Sequence, residues 1–576
     1  MAANLAARGF RVLLIEAGSD PESFNYQVPV FHGFASEEKD MSWNFYVHHY
    51  DADEQRAPKF CKDENGVLYP RAGTLGGCTA HNAMITVVPH DSDWNAIAES
   101  TSDDSWRADN MWKYFQRVER CQYRERPPAG AHDASGHGYD GWLGTSMVSP
   151  RIALGDREVV RTVFATMRSI VRHWSVLRWM RTKDDPNDRR NRAQVEGFAT
   201  VPLATVKGKR NGAREFIRAV QKQHPDRLMV KLNHLATRVL FDENKRAVGV
   251  ECREGRNLYR ADPNAATPPV YEKREYRCTR EVILAGGAFN TPQLLMLSGI
   301  GPKQHLEEMG IPCLADRPGV GSHLQDRYEV AVVTQMKHPF SMLRGATFKP
   351  PEPGARPDKQ WREWEHGRGL YTSNGAMAAL ILKSVPSKTD PDLFIFSLPG
   401  DFHGYYPGYS KTIEERRDHL TWAIVKAHTE NTGGTVRLRS SNPLERPEIR
   451  FHYFSEGTDK EGRDLDAVVT GVKLVRKMNA GNHSIARELI PGPDYPDDRL
   501  HEWVSDNAWG HHASCSCKMG LPTDDTAVVD SRFRVIGTTA LRIVDASIFP
   551  RIPGFFIAMP IYMISEKAAD VIGEDG

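Results

Sequence analysis

Glu16 ends an apolar run, Arg11 to Gly18 (RVLLIEAG), which follows a small-residue helix tail, Asn4 to Arg8, and its closing Gly9. An acid at the end of such a strand can accept hydrogen bonds from the ribose hydroxyls of an adenine dinucleotide, as in a Rossmann βαβ unit. In that unit the G-x-G-x-x-G turn that cradles the pyrophosphate lies about 20 residues before the acid. Counting back from Glu16 passes Met1, so the first strand and glycine turn are expected upstream, and the chain reads as truncated at its N-terminus. A second candidate contact is the pair Gly76-Gly77 in YPRAGTLGGCTAHNAM (69–84), where missing side chains let backbone approach a ligand closely. A third is the strand, tight turn and helix formed by 281–285 and the following GAFNTPQLLMLSGIG (287–301).

The elements that must position these residues fall into two territories. Apolar strands followed by glycine turns at 11–18, 228–250 and 281–287 suit an α/β nucleotide domain assembled from separated segments. Asp156 is expected to cap a helix whose stripe is Val159, Val160, Val163, Phe164, Met167, Ile170 and Val171. After Thr182 the chain becomes charged and loop-like. Further on, 330–336, 421–427 and 435–439 read as strands of a second sheet, and Leu465, Val468, Val469, Val472 and Val475 as one face of a helix. Pro350, Pro351, Pro353 and Pro357 mark a loop. The expected division is a nucleotide-binding domain from 1–145, 205–320 and 510–576, and a substrate-binding or cap domain from 146–204 and 321–509.

Composition narrows the class. The 576 residues suffice for several domains, and 75 basic against 74 acidic residues give no global reason to expect nucleic acid or an anionic membrane. No apolar run approaches the roughly 18 residues of a membrane span. Eight cysteines in so long a chain do not form a disulfide scaffold, so a reducing, cytoplasmic setting is expected. Cys515 and Cys517 have neither zinc nor thioredoxin spacing and read as buried thiols; no metal site is visible. The basic stretch Arg168 to Arg192, with Trp174 and Trp179, reads as a solvated cap helix over a substrate channel rather than a membrane-surface helix.

Three blocks taken together identify a resemblance: YPRAGTLGGCTAHNAM, GAFNTPQLLMLSGIG, and the C-terminal set HASCSCKMG (512–520), LRIVDAS (541–547) and ISEKAAD (564–570). With VGSHLQD (320–326) and GTVRLRS (434–440), their order resembles that of the glucose-methanol-choline oxidoreductase family, flavoenzymes that oxidise alcohols, over nearly the whole chain. The resemblance implies a Rossmann-like FAD-binding domain, a substrate domain with a mostly antiparallel sheet, and hydride transfer from a substrate C–H to flavin N5. Carried over by position, Glu16 meets the ribose. Thr74, Gly76, Gly77, Asn82 and Ala83 line the isoalloxazine side, the backbone of Ala236, ahead of a strand at 237–241, meets the adenine, and Asp545 and Ala546 pass the ribityl chain and ring. His81 stands where choline-oxidase-like members bond the flavin 8α-methyl, and both a covalent link and simple packing beside the ring stay open.

His512, five residues before the cysteine of SCKMG, matches the family's active-site histidine. An imidazole with an ordinary pKa of about 6.5 can take the hydroxyl proton as hydride leaves carbon. His511 either faces away or lends a second nitrogen. The family's second polar residue, His or Asn, falls eleven positions before Lys567, and here that position is Phe556. A phenyl ring neither accepts a proton nor hydrogen-bonds an oxygen, so Phe556 suits an apolar or aromatic alcohol and a site closed to water, and a local repacking of the loop that brings another polar group in stays equally open. It also leaves open a lyase or cyclase of the same fold using FAD structurally, and the N-terminus leaves open a product unable to retain FAD. The electron acceptor is not legible.

Overall fold

The computed structural model describes residues 1–52, 57–128, 130–131, 133–173, 185–190 and 196–575. Strand Val12–Ile15 runs parallel to Leu228–Lys231, and Val282–Leu284 runs parallel to Leu541–Ile543. Val12 and Ile283, one from each pair, pack on a shared cluster of Leu5, Ala569 and Ile572. Helix Ala2–Ala7 lies on helix Ala213–Gln223 through Ala3, Ala6 and Val220, where small side chains allow close approach. Helix Gly287–Leu297 and the terminal helix Ala558–Glu574 complete this Rossmann-like half.

The expected strand region 228–250 divides into Leu228–Lys231, His234–Phe241 and the start of Ala247–Glu254. Asn233 and Lys245 take left-handed backbone at the two breaks, with φ of 56° and 58°. The second and third strands pair antiparallel and are joined by Glu272–Arg277. Ala236 therefore lies inside a strand rather than ahead of one, beside a bulge between Ala236 and Arg238.

The second half is built on a six-stranded antiparallel sheet in the order Ile485–Ile490, Tyr328–Met336, His419–Lys426, Leu393–Pro399, Ala378–Leu382 and Gly197–Ala199. His419–Lys426 is buried at every position, as an interior strand covered on both faces must be. Helix Arg463–Ala480 packs on the sheet through Val468, Val472 and Val475, as its spacing requires. Gly471 makes the approach possible, since a Cβ there would lie 2.7 Å from Ile424 Cγ2.

Two further expectations need correction. The segment read as strand 435–439 does not join the large sheet: Thr435–Arg437 pairs with Glu448–Arg450, and Val436 N–H donates to Gly321 O at 2.7 Å, so its ladder is spent elsewhere. Asp156 does cap helix Arg157–His173, its carboxylate accepting from Glu158 N at 2.8 Å and Val159 N at 3.2 Å. Within the predicted stripe, however, Phe164 is 67% exposed while Val159 is buried. The side chains of Ile170 and Val171 and most of the basic stretch 168–192 lie outside the described residues. Cys515 and Cys517 are buried free thiols. Among the described residues no helix is long and apolar enough to cross a membrane.

Candidate active site

The segment carrying His511 and His512 is joined to the edge of the sheet strand Tyr328–Met336 and the residues just before it. Glu329 and Trp509 exchange both main-chain hydrogen bonds at 2.9 Å, and Gln325 and Ser514 pair in the same way at 3.0 and 2.9 Å. Between these rungs the buried Asp326 carboxylate accepts from His512 N at 2.8 Å, Arg327 N at 2.7 Å and the Tyr69 hydroxyl at 2.6 Å. The Tyr69 oxygen in turn accepts from Ala513 N at 2.8 Å. Gly510 must be glycine, because a Cβ would sit 2.3 Å from Asp326 Oδ2. Burial raises the Asp326 carboxyl to about 6, against the pull of its donors.

The two imidazoles lie with ring centroids 4.0 Å apart. Glu329 Oε1 is 3.2 Å from His511 Nδ1 and 3.4 Å from His512 Nδ1. Neither approach has hydrogen-bond geometry, and all three atoms are buried without a hydrogen-bond partner. Burial pushes the Glu329 carboxyl well above the usual range, helped by the charge of Asp326. Burial also lowers His511 to about 3 and His512 well below 6.5, with Arg71 and Arg327 adding positive charge nearby. The cluster thus holds two neutral imidazoles, the form a proton acceptor needs.

Phe556 stands beside His512. Its ring is 5.8 Å from His512 and 5.0 Å from Phe394, edge to face in both cases. The turn that presents it is anchored by Asp93, which accepts from Gly554 N and Arg551 Nη2, each at 2.9 Å. Arg327 Nη2 donates to Pro553 O at 2.6 Å, leaving its Nε and Nη1 unpaired. The position expected to be apolar is therefore walled by aromatic rings.

The residues carried over for the cofactor fall into three groups. The glycine loop is fixed by Arg210, whose guanidinium donates to Tyr26 O at 2.9 Å, Thr79 O at 3.1 Å, and Asn82 O and Oδ1 at 2.8 Å. Gly77, at φ 58°, faces open space, whereas a Cβ on Gly76 would meet Arg214 N at 3.2 Å. Thr74 hydroxyl donates to Ser19 O at 2.8 Å, and Ala83 O accepts from Asn374 Nδ2 at 2.9 Å. His81 is buried, and desolvation beside Arg210 and Arg71 lowers it to about 3. Arg71 Nη1 reaches both Cys78 Sγ at 3.7 Å and His511 O at 3.3 Å, tying this loop to the histidine pair.

At the second group, Glu16 Oε1 accepts from Gly18 N at 2.9 Å, and burial raises its carboxyl to about 7. A cavity of about 190 Å³ opens beside it, lined by Ala17, Gly18, Trp43, Asn233, Leu235 and Tyr259 among others; Ala236 is not in its lining. In the third group Asp545 caps helix Gly287–Leu297, its Oδ2 accepting from Gly287 N at 2.9 Å and Thr291 Oγ1 at 2.6 Å. Ala546 is buried in the next turn.

Sequence reasoning missed Glu329, Asp326, Tyr69, Arg71 and Arg210. Glu329 carried a signal: it is a lone acid inside the otherwise apolar YEVAVV, where a charge has no place unless a site needs it.

Comparison with known proteins gives the family. Models described as GMC oxidoreductase match residues 54–329 and 430–565. The chain is 30% identical to the oxygen-dependent choline dehydrogenase of Brucella anthropi, covering 99% of this chain and 93% of that protein. It is also 30% identical to the mitochondrial choline dehydrogenase of Mus musculus, covering 98% and 85%. Among solved structures, a formate oxidase superposes with a TM-score of 0.79 at 20% identity, covering 100% of this chain and 96% of that one. A fungal aryl-alcohol oxidase superposes with a TM-score of 0.73 at 21% identity, covering 100% and 97%. The chain belongs to the GMC oxidoreductase family and is an FAD-dependent oxidoreductase acting on alcohols. Its residues fit that cofactor: open space at Gly77, the buried unpaired Nη2 of Arg210, and the cavity beside Glu16 are all available to a dinucleotide.

Proposed function

We propose that the chain oxidises the CH–OH group of a small alcohol with an apolar or aromatic body, with His512 as the base. The observation that carries the reading is the aromatic wall of Phe556 and Phe394 against a neutral, buried His512. Glu16, Thr74, Gly76, Gly77, Asn82, Ala83, Ala236, Asp545 and Ala546 would hold FAD, which would supply the hydride acceptor at flavin N5. His512 receives the hydroxyl proton, Asp326 and Tyr69 hold its backbone, and Phe556 keeps water away from the reacting carbon. The nucleotide side draws on 1–145, 205–320 and 510–576, and the substrate side on 146–204 and 321–509.

A second reading of the substrate rests on Glu329. Its Oε1 lies buried without a hydrogen-bond partner near Tyr405, whose ring packs 5.2 Å from His511, an environment suited to a cationic head group such as that of choline. Anaerobic mixing of the holoenzyme with benzyl alcohol or with choline tests both. Bleaching of the flavin absorbance by benzyl alcohol is expected. Bleaching by choline alone would transfer the reading to the cationic substrate, and turnover of either without bleaching would indicate a lyase or cyclase.

His81 is proposed as the covalent attachment to the flavin 8α-methyl. Its imidazole is unprotonated, as a nucleophile must be. Acid precipitation of the purified holoenzyme is then expected to leave the yellow colour in the pellet; colour in the supernatant would reduce His81 to a packing residue.

A further inference from the structure

We propose that Glu329, His511 and His512 form a binding site for a divalent transition-metal cation such as Zn²⁺, and that occupation of this site switches off the base. Two imidazoles and one carboxylate are a donor set that zinc takes with an open fourth position. Metal–ligand bonds of about 2.0–2.1 Å place neighbouring ligand atoms of a tetrahedron about 3.3–3.4 Å apart. Glu329 Oε1 stands 3.2 Å from His511 Nδ1 and 3.4 Å from His512 Nδ1, and the three atoms all lie within 4.8 Å of one another.

The second observation is that all three donor atoms are buried without a hydrogen-bond partner, and the Glu329 side chain is only 2% exposed. Unsatisfied buried polar atoms are costly, and convergence of three on one point calls for a ligand. The His511 side chain, 28% exposed, leaves a way in. The guanidinium groups of Arg71 and Arg327 oppose a cation here, while the carboxylate of Asp326 offsets part of their charge.

The chemistry of occupation follows from the atoms. Binding removes the proton of the Glu329 carboxyl to solvent and uses the Nδ1 lone pair of each imidazole. A neutral imidazole ligating through Nδ1 carries its remaining proton on Nε2, so His512 has no lone pair left to accept the alcohol proton. The inhibitory consequence rests on the reading of His512 as base; the binding does not.

Calorimetric titration of the holoenzyme with ZnCl₂ separates the two. Wild type is expected to bind one equivalent that Glu329→Gln and His511→Gln each weaken by at least about tenfold. Alcohol oxidation is expected to fall with the same midpoint and to recover with EDTA. Binding unchanged in both variants would overturn the site. Binding without inhibition would uphold the site and remove the role of His512. Should either variant fail to fold, anomalous scattering from wild-type crystals soaked in Zn²⁺ decides, and an ion anywhere but between these three residues overturns the proposal.

Discussion

His512→Ala is expected to lower kcat/KM for alcohol oxidation by about 100- to 10,000-fold, the range set by a positioned general base. The same variant is expected to keep its flavin spectrum, because His512 is held through its main-chain N–H by Asp326 rather than through its side chain. The pH profile adds a signature. A base works unprotonated, so activity is retained above its pKa and lost below it. Burial and the neighbouring arginines lower His512 well beneath 6.5, so the acidic limb of wild type should lie well below the ordinary histidine range. A variant within threefold of wild type, or a limb centred near 6.5, would count against His512 as the buried base.

The largest effect on stability is expected at Asp326. Alanine there strands three donors at once, the main-chain N–H groups of His512 and Arg327 and the Tyr69 hydroxyl. Each buried donor left unpaired costs about 1–3 kcal/mol, and with partial rescue by water the loss is about 3–5 kcal/mol. The measurement is the urea midpoint at unchanged slope. Asp326→Asn keeps one acceptor oxygen and should lose less. A shift equivalent to under about 1 kcal/mol for the alanine variant would show that the carboxylate is not the clamp described above.

What the sequence showed, and where it fell short, follows from the range of the forces involved. The cap at Asp156 and the helix stripe through Val468, Val472 and Val475 are local, so spacing alone revealed them. The buried thiols followed from the spacing of Cys515 and Cys517, and the relation of Phe556 to His512 from block order, which links segments 44 positions apart. The failures are all matters of partnership across the chain. Thr435–Arg437 has strand character, but which ladder it joins depends on Gly321 and Glu448–Arg450. Phe164 fits a helical stripe, yet it is left exposed among the described residues. Asp326 reaches Tyr69 across 257 positions, and Arg71 reaches His511 across 440, distances over which no periodicity carries information.

The two-rung ladder between Gln325–Glu329 and Trp509–Ser514 also bears on how new specificities can arise. The His512 segment is stitched by main chain to the start of Tyr328–Met336, while Phe394 stands on another strand of the sheet and Tyr405 on a connecting loop. Main-chain pairing does not depend on side-chain identity. Libraries that vary Phe394 and Tyr405, whose rings lie against Phe556 and His511, can therefore change what surrounds the histidine pair without shifting its backbone.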